Sequence, residues 1–260
     1  MPVALHRSLN GHGPGRPKLV LVHGFTQTLC SWDRLAGPLS EAFQVMRVDL
    51  PGHGGSGPIE MGFAETAAAI GDAGGRATYV GYSMGGRLCL RLALDRPDLV
   101  QALVLVGASP GLADGEERAA RRASDEALAA EIERSGTAAF LERWLAQPMF
   151  SALEPRPEDV AARLANSPGG LATALRRLGT GVQAPLWDRL GELQMPVLAM
   201  AGQDDVRYAR IAEDLADAVG VNAQAVALAG AGHAAHLQRP VSFHRLLTAF
   251  LVLHPPVPFR

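Results

Sequence analysis

The chain has 260 residues, of which 48% are hydrophobic and 19% are charged. This length suits one sizeable domain with room for an insertion, able to bury roughly three quarters of its unfolded surface. The formal net charge of −2, from 24 basic and 26 acidic residues, excludes a global field that would attract nucleic acid or anionic lipid.

The amino-terminal residues lack the apolar run of a secretory signal, and no apolar segment of the chain reaches membrane-spanning length. We therefore expect a soluble, cytoplasmic protein that does not insert into membranes. Residues 3–9 alternate weakly between apolar and polar side chains and predict an edge strand. The glycine- and proline-rich residues 11–17 then predict a loop.

Six apolar runs follow along the chain, and the first of them is continuous, as expected of a strand buried on both faces. Helical or turn-rich segments separate most of these runs. The alternation predicts an α/β fold with a mostly parallel sheet covered by helices, in which ligands bind at the carboxyl ends of the strands. The runs cover residues 18–22, 45–50, 77–80, 102–106, 197–201 and 225–228.

The strand pattern stops between Gly111 and about Trp187, where the chain becomes charged and alanine-rich. Apolar residues recur there at helical spacing and prolines break the pattern. We expect a helical cap at 111–187, inserted into a core formed by 1–110 and 188–260. The predicted helical segments are 116–122, 124–134, 137–145, 158–165 and 171–178.

A G-x-S-x-G motif at residues 81–85 places Ser83 between a predicted strand and a predicted helix. In this context the serine occupies a sharp, strained turn that exposes its hydroxyl group. The motif alone is weak evidence in a chain with 29 glycines, and the alternative is an ordinary tight turn. The acid and the histidine that follow later strands favour a catalytic role for Ser83.

A serine hydroxyl becomes reactive when a histidine takes its proton and a carboxylate orients that histidine. His233 follows the last predicted strand in a glycine-rich loop, and a hydrogen-bonded loop histidine is the alternative. The acid is expected between the serine and the histidine in the chain. Asp204 and Asp205 both follow the strand at 197–201; we favour Asp205 and keep Asp204 as the alternative.

Two backbone N–H groups are predicted to form an oxyanion hole, those of Met84, directly after the serine, and Phe25, after the first long strand. Asp49 heads another strand-end turn and is expected to shape the rim of the pocket. The two cysteines, Cys30 and Cys89, form no disulfide framework and fit no metal-ligand spacing. No metal or organic cofactor is predicted.

Several segments together resemble a known family. Residues 81–87 (Gly-Tyr-Ser-Met-Gly-Gly-Arg) and 49–54 (Asp-Leu-Pro-Gly-His-Gly) are similar to segments of the 2-succinyl-6-hydroxy-2,4-cyclohexadiene-1-carboxylate synthases of menaquinone biosynthesis, which have the α/β-hydrolase fold. Residues 117–125, 144–150 and 232–236 are similar to further segments of that family.

The resemblance implies a lyase that eliminates pyruvate from 2-succinyl-5-enolpyruvyl-6-hydroxy-3-cyclohexene-1-carboxylate, a small polycarboxylate. It implies that Ser83, activated by His233 and Asp205, removes a ring proton without forming an acyl-enzyme. The substrate-binding residues that it implies are Tyr82, Arg87, Arg121, Trp144 and Arg163.

Each of these binding roles has an ordinary alternative. Arg87 could form a surface salt bridge, and arginines also occupy exposed faces of cap helices. Arg118 and Arg122 are close to Arg121 in helical register. Core packing alone would explain Tyr82 and Trp144.

Two other functions remain open from the sequence. The first is a serine esterase or lactonase with the same triad and an acyl-enzyme that water can reach. The second is a ligand-binding member of the fold without catalytic activity, against which an intact triad argues.

Overall fold

The structure, a computed structural model, describes residues 4–11 and 15–255. Predictions for residues 1–3, 12–14 and 256–260 lie outside this range, which affects the predicted edge strand, the loop after it and the ends of the core. In the described chain, seven strands form one sheet in the order β1-β3-β2-β4-β5-β6-β7. The strands are β1 (Arg7–Asn10), β2 (Lys18–Val22), β3 (Gln44–Val48), β4 (Ala77–Tyr82), β5 (Val100–Val106), β6 (Val197–Gly202) and β7 (Ala223–Leu228).

The sheet is mostly parallel. Only β1 runs antiparallel, against β3, and all the other neighbouring pairs of strands are parallel. The predicted α/β fold is confirmed, and the helices that accompany the sheet are α1 (Asp33–Leu39), α2 (Phe63–Gly74), α3 (Met84–Asp95), α4 (Gly115–Leu145), α5 (Pro157–Leu164), α6 (Pro168–Leu178), α7 (Val206–Val219), α8 (Ala235–Gln238) and α9 (Pro240–Leu253).

Two hydrophobic cores lie on opposite faces of the sheet because successive side chains of a strand point to opposite sides. In β2, Val20 and Val22 pack into one core with residues of α2, α3 and α7. Leu19 and Leu21 pack into the other core with residues of α1 and α9. Burial on both faces is the physical reason for the continuous apolar run at this strand.

Helices α4, α5 and α6 lie between β5 and β6, inside the range 111–187. They have a small core of their own, in which Ile132 and Phe140 of α4 pack with Leu171 of α6. The segments predicted separately at 116–122 and 124–134 form one continuous helix in the structure. The break predicted between 134 and 137 is present, because Gly136 takes a φ of +79° inside α4 and interrupts its helical geometry.

Among the helices of the described residues, none combines the length and apolar character that crossing a bilayer requires.

Candidate active site

Ser83 lies on a strained turn between the carboxyl end of β4 and the start of α3. Its φ of +50° is one of two positive φ values at non-glycine residues in the described chain, the other being +66° at Thr26. The turn brings the start of α3 close to β2: a Cβ atom on Gly85 would lie 2.4 Å from the backbone oxygen of Val22. A side chain at Gly85 would therefore push the helix away from the sheet.

The structure brings the three predicted triad residues together. His233 Nε2 lies 3.1 Å from Ser83 Oγ, and His233 Nδ1 lies 2.7 Å from Asp205 Oδ2. An ionised carboxylate only accepts hydrogen bonds, so Nδ1 carries the proton and Nε2 presents a lone pair to the serine hydroxyl. This arrangement allows His233 to take the proton of Ser83.

The two consecutive acids have different surroundings. Asp205 caps the amino terminus of α7, where its Oδ1 accepts a hydrogen bond from the N–H of Tyr208 at 3.4 Å, while its Oδ2 faces His233. Asp204 has an exposed side chain that contacts neither triad partner. Of the two acids considered from the sequence, the structure places Asp205 against the imidazole.

The two residues predicted to supply the oxyanion donors lie close to the serine. Phe25, Met84 and Ser83 all line one cavity. Within the described residues, neither the Phe25 N–H nor the Met84 N–H donates to a protein acceptor. Both groups are thus available to an oxygen atom that gains negative charge beside Ser83.

The cavity has a volume of about 400 Å³ and is bounded by the sheet on one side and by α4 and α6 on the other. This volume is in the range of small-molecule sites. Most of the predicted substrate-binding residues lie on its wall: Tyr82, Arg87, Arg121 and Trp144.

Arg87 is a buried cation on this wall. Its Nη1 donates to Gln183 Oε1 at 2.9 Å and its Nη2 donates to the Leu178 backbone oxygen at 2.8 Å. The guanidinium carbon also lies 5.5 Å from the centre of the Phe63 ring. Burial lowers the Arg87 pKa to about 10, so the side chain remains positively charged at neutral pH. These contacts are not those of a surface salt bridge.

Of the three arginines of α4 that are close in register, Arg121 reaches the cavity. Its Nε donates to Oδ1 of the buried Asp125 at 2.8 Å. Arg118 instead donates to backbone oxygens at the start of α4, and Arg122 donates to the Gly181 oxygen. Neither of these two residues lines the cavity.

The position of Arg163 differs from the expectation that it lines the substrate pocket. The residue is buried, and its Nη1 donates to Thr26 Oγ1 rather than facing the cavity. Burial lowers its pKa below the usual value for arginine. The helical pattern does not distinguish these two orientations, because Arg163 is a buried residue of the short helix α5 in either case.

The aromatic residues of the wall pack against His233 and against other aromatic rings. The Tyr82 ring lies 5.4 Å from the His233 ring, and burial raises the pKa of its phenol, which stays neutral. Trp144 packs 5.4 Å from Phe25 and stacks at 5.6 Å on Phe140. Tyr82 and Trp144 thus have both a packing role and a surface that faces the cavity.

Arg207 and Tyr208 are among the wall residues that were not predicted from the sequence. The exposed Arg207 has no hydrogen bond or ion pair to any other described residue, and the Tyr208 ring lies 4.6 Å from that of His233. Their position in the first turn of α7, directly after Asp205, could have indicated that they lie near the triad. A helix that begins beside the triad points its first side chains towards the same cavity.

Two other polar residues, Asp49 and His236, are buried outside the cavity wall. Asp49 is buried and accepts hydrogen bonds from the Leu29 N–H at 2.7 Å and the Gly55 N–H at 2.9 Å. His236 is buried between the rings of Trp32 and Tyr82, at 4.5 and 4.4 Å. Across residues 4–11 and 15–255, no group of three or more His, Cys, Asp or Glu side chains is arranged to hold a metal ion.

The chain is similar to several known proteins. A protein from Escherichia coli O1:K1 named 2-succinyl-6-hydroxy-2,4-cyclohexadiene-1-carboxylate synthase is 31% identical over 246 residues, covering 91% of this chain and 94% of the relative. A protein from Bacillus subtilis (strain 168), to which the same name is assigned provisionally, is 32% identical over 254 residues. The match covers 92% of each chain.

The solved structure of MenH from S. aureus superimposes with a TM-score of 0.88 at 28% identity, covering 96% of this chain and 98% of that one. A family model described as the alpha/beta hydrolase family matches residues 19–246. The chain therefore belongs to the alpha/beta hydrolase family.

Proposed function

We propose that this protein is a lyase of menaquinone biosynthesis that eliminates pyruvate from 2-succinyl-5-enolpyruvyl-6-hydroxy-3-cyclohexene-1-carboxylate, leaving 2-succinyl-6-hydroxy-2,4-cyclohexadiene-1-carboxylate. The relatives named above support this reaction. The observation that carries the proposal is a cavity shared by the Ser83 hydroxyl and by Arg87, Arg121 and Arg207. Several cations around one nucleophilic oxygen suit a substrate with several carboxylates.

The reaction begins with proton transfer. As Ser83 Oγ takes the acidic ring proton next to the succinyl carbonyl group, its own hydroxyl proton passes to His233 Nε2. The negatively charged Asp205 stabilises the imidazolium through Nδ1. The electron pair of the broken C–H bond moves onto the succinyl carbonyl oxygen, which becomes an enolate.

The enolate oxygen is bound by the N–H groups of Phe25 and Met84. When the enolate collapses, its electrons form the C2=C3 double bond and the C3=C4 electron pair moves to C4=C5. This shift breaks the C5–O bond to the enolpyruvyl group. The departing enolate of pyruvate takes the proton held by His233, and tautomerisation gives pyruvate. Every electron pair and proton is accounted for without a covalent bond to Ser83.

The arginines position the carboxylates for this step. Arg87 is fixed by Gln183 and by the Leu178 oxygen, so its guanidinium group is held in place before the substrate binds. Arg121 and Arg207 contribute charge from α4 and α7. Bidentate contacts from such groups orient a carboxylate as well as attract it.

We also propose that residues 111–187 act as a cap over a core formed by 1–110 and 188–260. Arg121, Leu128, Trp144 and Leu175 of this segment lie on the cavity wall opposite Ser83. A cap of this kind keeps water from the enolate and so favours elimination over hydrolysis.

Pyruvate release tests the proposal. The purified protein is given the enolpyruvyl substrate, and pyruvate is followed by its reduction with lactate dehydrogenase and NADH. We expect turnover that Ser83→Ala reduces at least about 10³-fold, the scale of losing a catalytic serine. A protein that forms no pyruvate but gives a burst of alcohol from a simple ester, with Ser83 labelled by an organophosphate, is instead an esterase or lactonase.

A further inference from the structure

The loop that carries the predicted oxyanion donor of Phe25 has an unusual backbone at the next residue. Thr26 is fully buried and has a φ of +66°, a left-handed conformation that β-branched residues rarely adopt. A residue keeps such a conformation only where its surroundings impose it. The Thr26 backbone therefore depends on neighbouring groups for its conformation. Through it these groups set the course of the chain at Phe25, whose N–H belongs to the preceding peptide.

One of these groups is His53. Its Nδ1 lies 3.0 Å from the Pro51 backbone oxygen, so Nδ1 carries the proton and donates to that oxygen. Its Nε2 is then an acceptor and receives the Thr26 N–H at 3.2 Å. Burial lowers the pKa of His53 to about 3, which keeps this tautomer neutral at working pH.

The other groups come from the cap, at and just after the end of α5. Asn166 Nδ2 donates to the Thr26 backbone oxygen at 2.9 Å, and Asn166 Oδ1 accepts the Gly54 N–H at 2.8 Å. Arg163 Nη1 donates to Thr26 Oγ1. Asn166 is held in turn by Thr137, whose hydroxyl donates to the Asn166 backbone oxygen at 2.8 Å.

Arg163 is costly to bury. The residue is 4% exposed, and within the described chain it forms no salt bridge, although Asp159 attracts its charge from a greater distance. A buried cation without an ion partner destabilises the fold unless its hydrogen bonds offset the loss of solvation. Here its hydrogen bond goes to a strained loop residue next to the predicted oxyanion hole, which gives the buried charge a functional explanation.

We propose that Arg163 and Asn166 are positioning residues, which hold Thr26 in its left-handed conformation and thereby direct the Phe25 N–H towards the oxygen that gains charge. The inference rests on the oxyanion role proposed above for Phe25. It assigns the end of α5 a part in the chemistry without contact to substrate. A positioning role for Arg163 predicts a change in kcat, whereas an arginine that binds a substrate carboxylate would mainly change KM.

The test compares a charged and a neutral substrate. Asn166→Asp has the same shape and keeps the acceptor for the Gly54 N–H, but loses the donor to the Thr26 oxygen. Arg163→Met loses the donor to Thr26 Oγ1, whereas Arg163→Lys keeps a cationic donor. kcat and KM are measured for pyruvate release and for hydrolysis of a neutral p-nitrophenyl ester. Thermal unfolding checks that each variant is folded.

We expect Asn166→Asp and Arg163→Met to lower kcat about 10- to 100-fold for both substrates, with KM changed less than about threefold, since one misplaced oxyanion donor costs up to about 10²-fold. Arg163→Lys should recover part of kcat. The control is Arg156→Lys, at the cap residue before α5 whose guanidinium pairs with Asp159; it should match the unmodified protein.

The opposite pattern would overturn the inference. A direct carboxylate contact by Arg163 would raise KM for the enolpyruvyl substrate alone, leave the neutral ester unaffected and make Asn166→Asp harmless. Unchanged kcat in folded Asn166→Asp also overturns it. If the protein forms no pyruvate, the lyase proposal fails separately, and the neutral ester still decides whether these residues act through the Phe25 N–H. If Arg163→Met does not fold, Asn166→Asp carries the test.

Discussion

Asp204 and Asp205 are consecutive in the chain, yet only Asp205 reaches the imidazole of His233, at 2.7 Å between Oδ2 and Nδ1. The reason lies in the start of α7. The Asp205 side chain caps the helix through Oδ1 and faces His233 through Oδ2, while the Asp204 side chain remains exposed. The pair therefore provides a matched test of the triad acid.

Asp205→Asn should lower kcat for pyruvate release by about 10⁴-fold, because an amide in place of the carboxylate favours the wrong tautomer of the histidine. Steady-state kinetics measure this loss. Asp204→Asn, which changes charge equally, should stay within about twofold of the unmodified protein. A comparable loss in both variants would show that charge near the loop matters and that the contact with His233 does not.

Arg87→Ala should raise KM for the polycarboxylate about 10- to 100-fold, the scale of a hydrogen bond to a charged group. Hydrolysis of a neutral ester should change far less, since no carboxylate is bound. A pH series adds a second measurement. The Arg87 pKa is lowered to about 10, so the guanidinium group loses its proton, and KM should rise, as the pH passes above that value. Equal losses with both substrates would contradict a binding role.

Arg207→Ala should raise KM for the polycarboxylate about fivefold, the worth of a partly solvated ion pair, and leave kcat little changed. Arg210 provides the control. It lies on the same helix, but its side chain is 71% exposed and pairs with Asp214 at 2.9 Å. Arg210→Ala should have the KM of the unmodified protein. If the two variants behave alike, the effect is one of overall charge.

His236→Phe should make the protein less sensitive to acid. Burial lowers the His236 pKa from 6.5 to about 3, and neither ring nitrogen has a hydrogen-bond partner in the described structure. Below pH 6.5 the unfolded chain binds a proton that the folded chain does not, so stability is full above that pH and is lost as the pH falls. The loss from this residue is about 1.4 kcal/mol per pH unit.

Urea unfolding of both proteins between pH 7.5 and pH 4.5 measures this slope. His23 and His53 are also buried with lowered pKa values, so part of the slope should remain in His236→Phe. An unchanged slope would mean that His236 becomes protonated without unfolding.

The strands were the most predictable part of the molecule. The run at Lys18–Val22 coincides with β2 because strands covered on both faces contain little but apolar residues. β7 was located less completely, since it lies at an edge of the sheet with several exposed side chains. The order of the strands is not encoded in such local patterns.

Some residues of the candidate site were also predictable from the sequence, and others were not. Ser83, Asp205 and His233 could be located because each follows a strand, and parallel strands end at one edge of the sheet. No comparable rule shows which residues of the helices in 111–187 reach the cavity. Arg121 and Arg163 both lie on helices, yet one reaches the cavity and the other reaches Thr26. That difference depends on how α4 and α5 pack, which periodicity does not show.

The φ of +50° at Ser83 limits which side chains can do chemistry there. Threonine has a hydroxyl group of similar reactivity, but its second substituent on Cβ makes a positive φ a severe outlier. Cysteine and aspartate lack that branch and fit the same turn. Redesign of this scaffold towards thiol or carboxylate nucleophiles is thus compatible with its backbone, whereas a threonine there would need contacts like those that hold Thr26 at its positive φ.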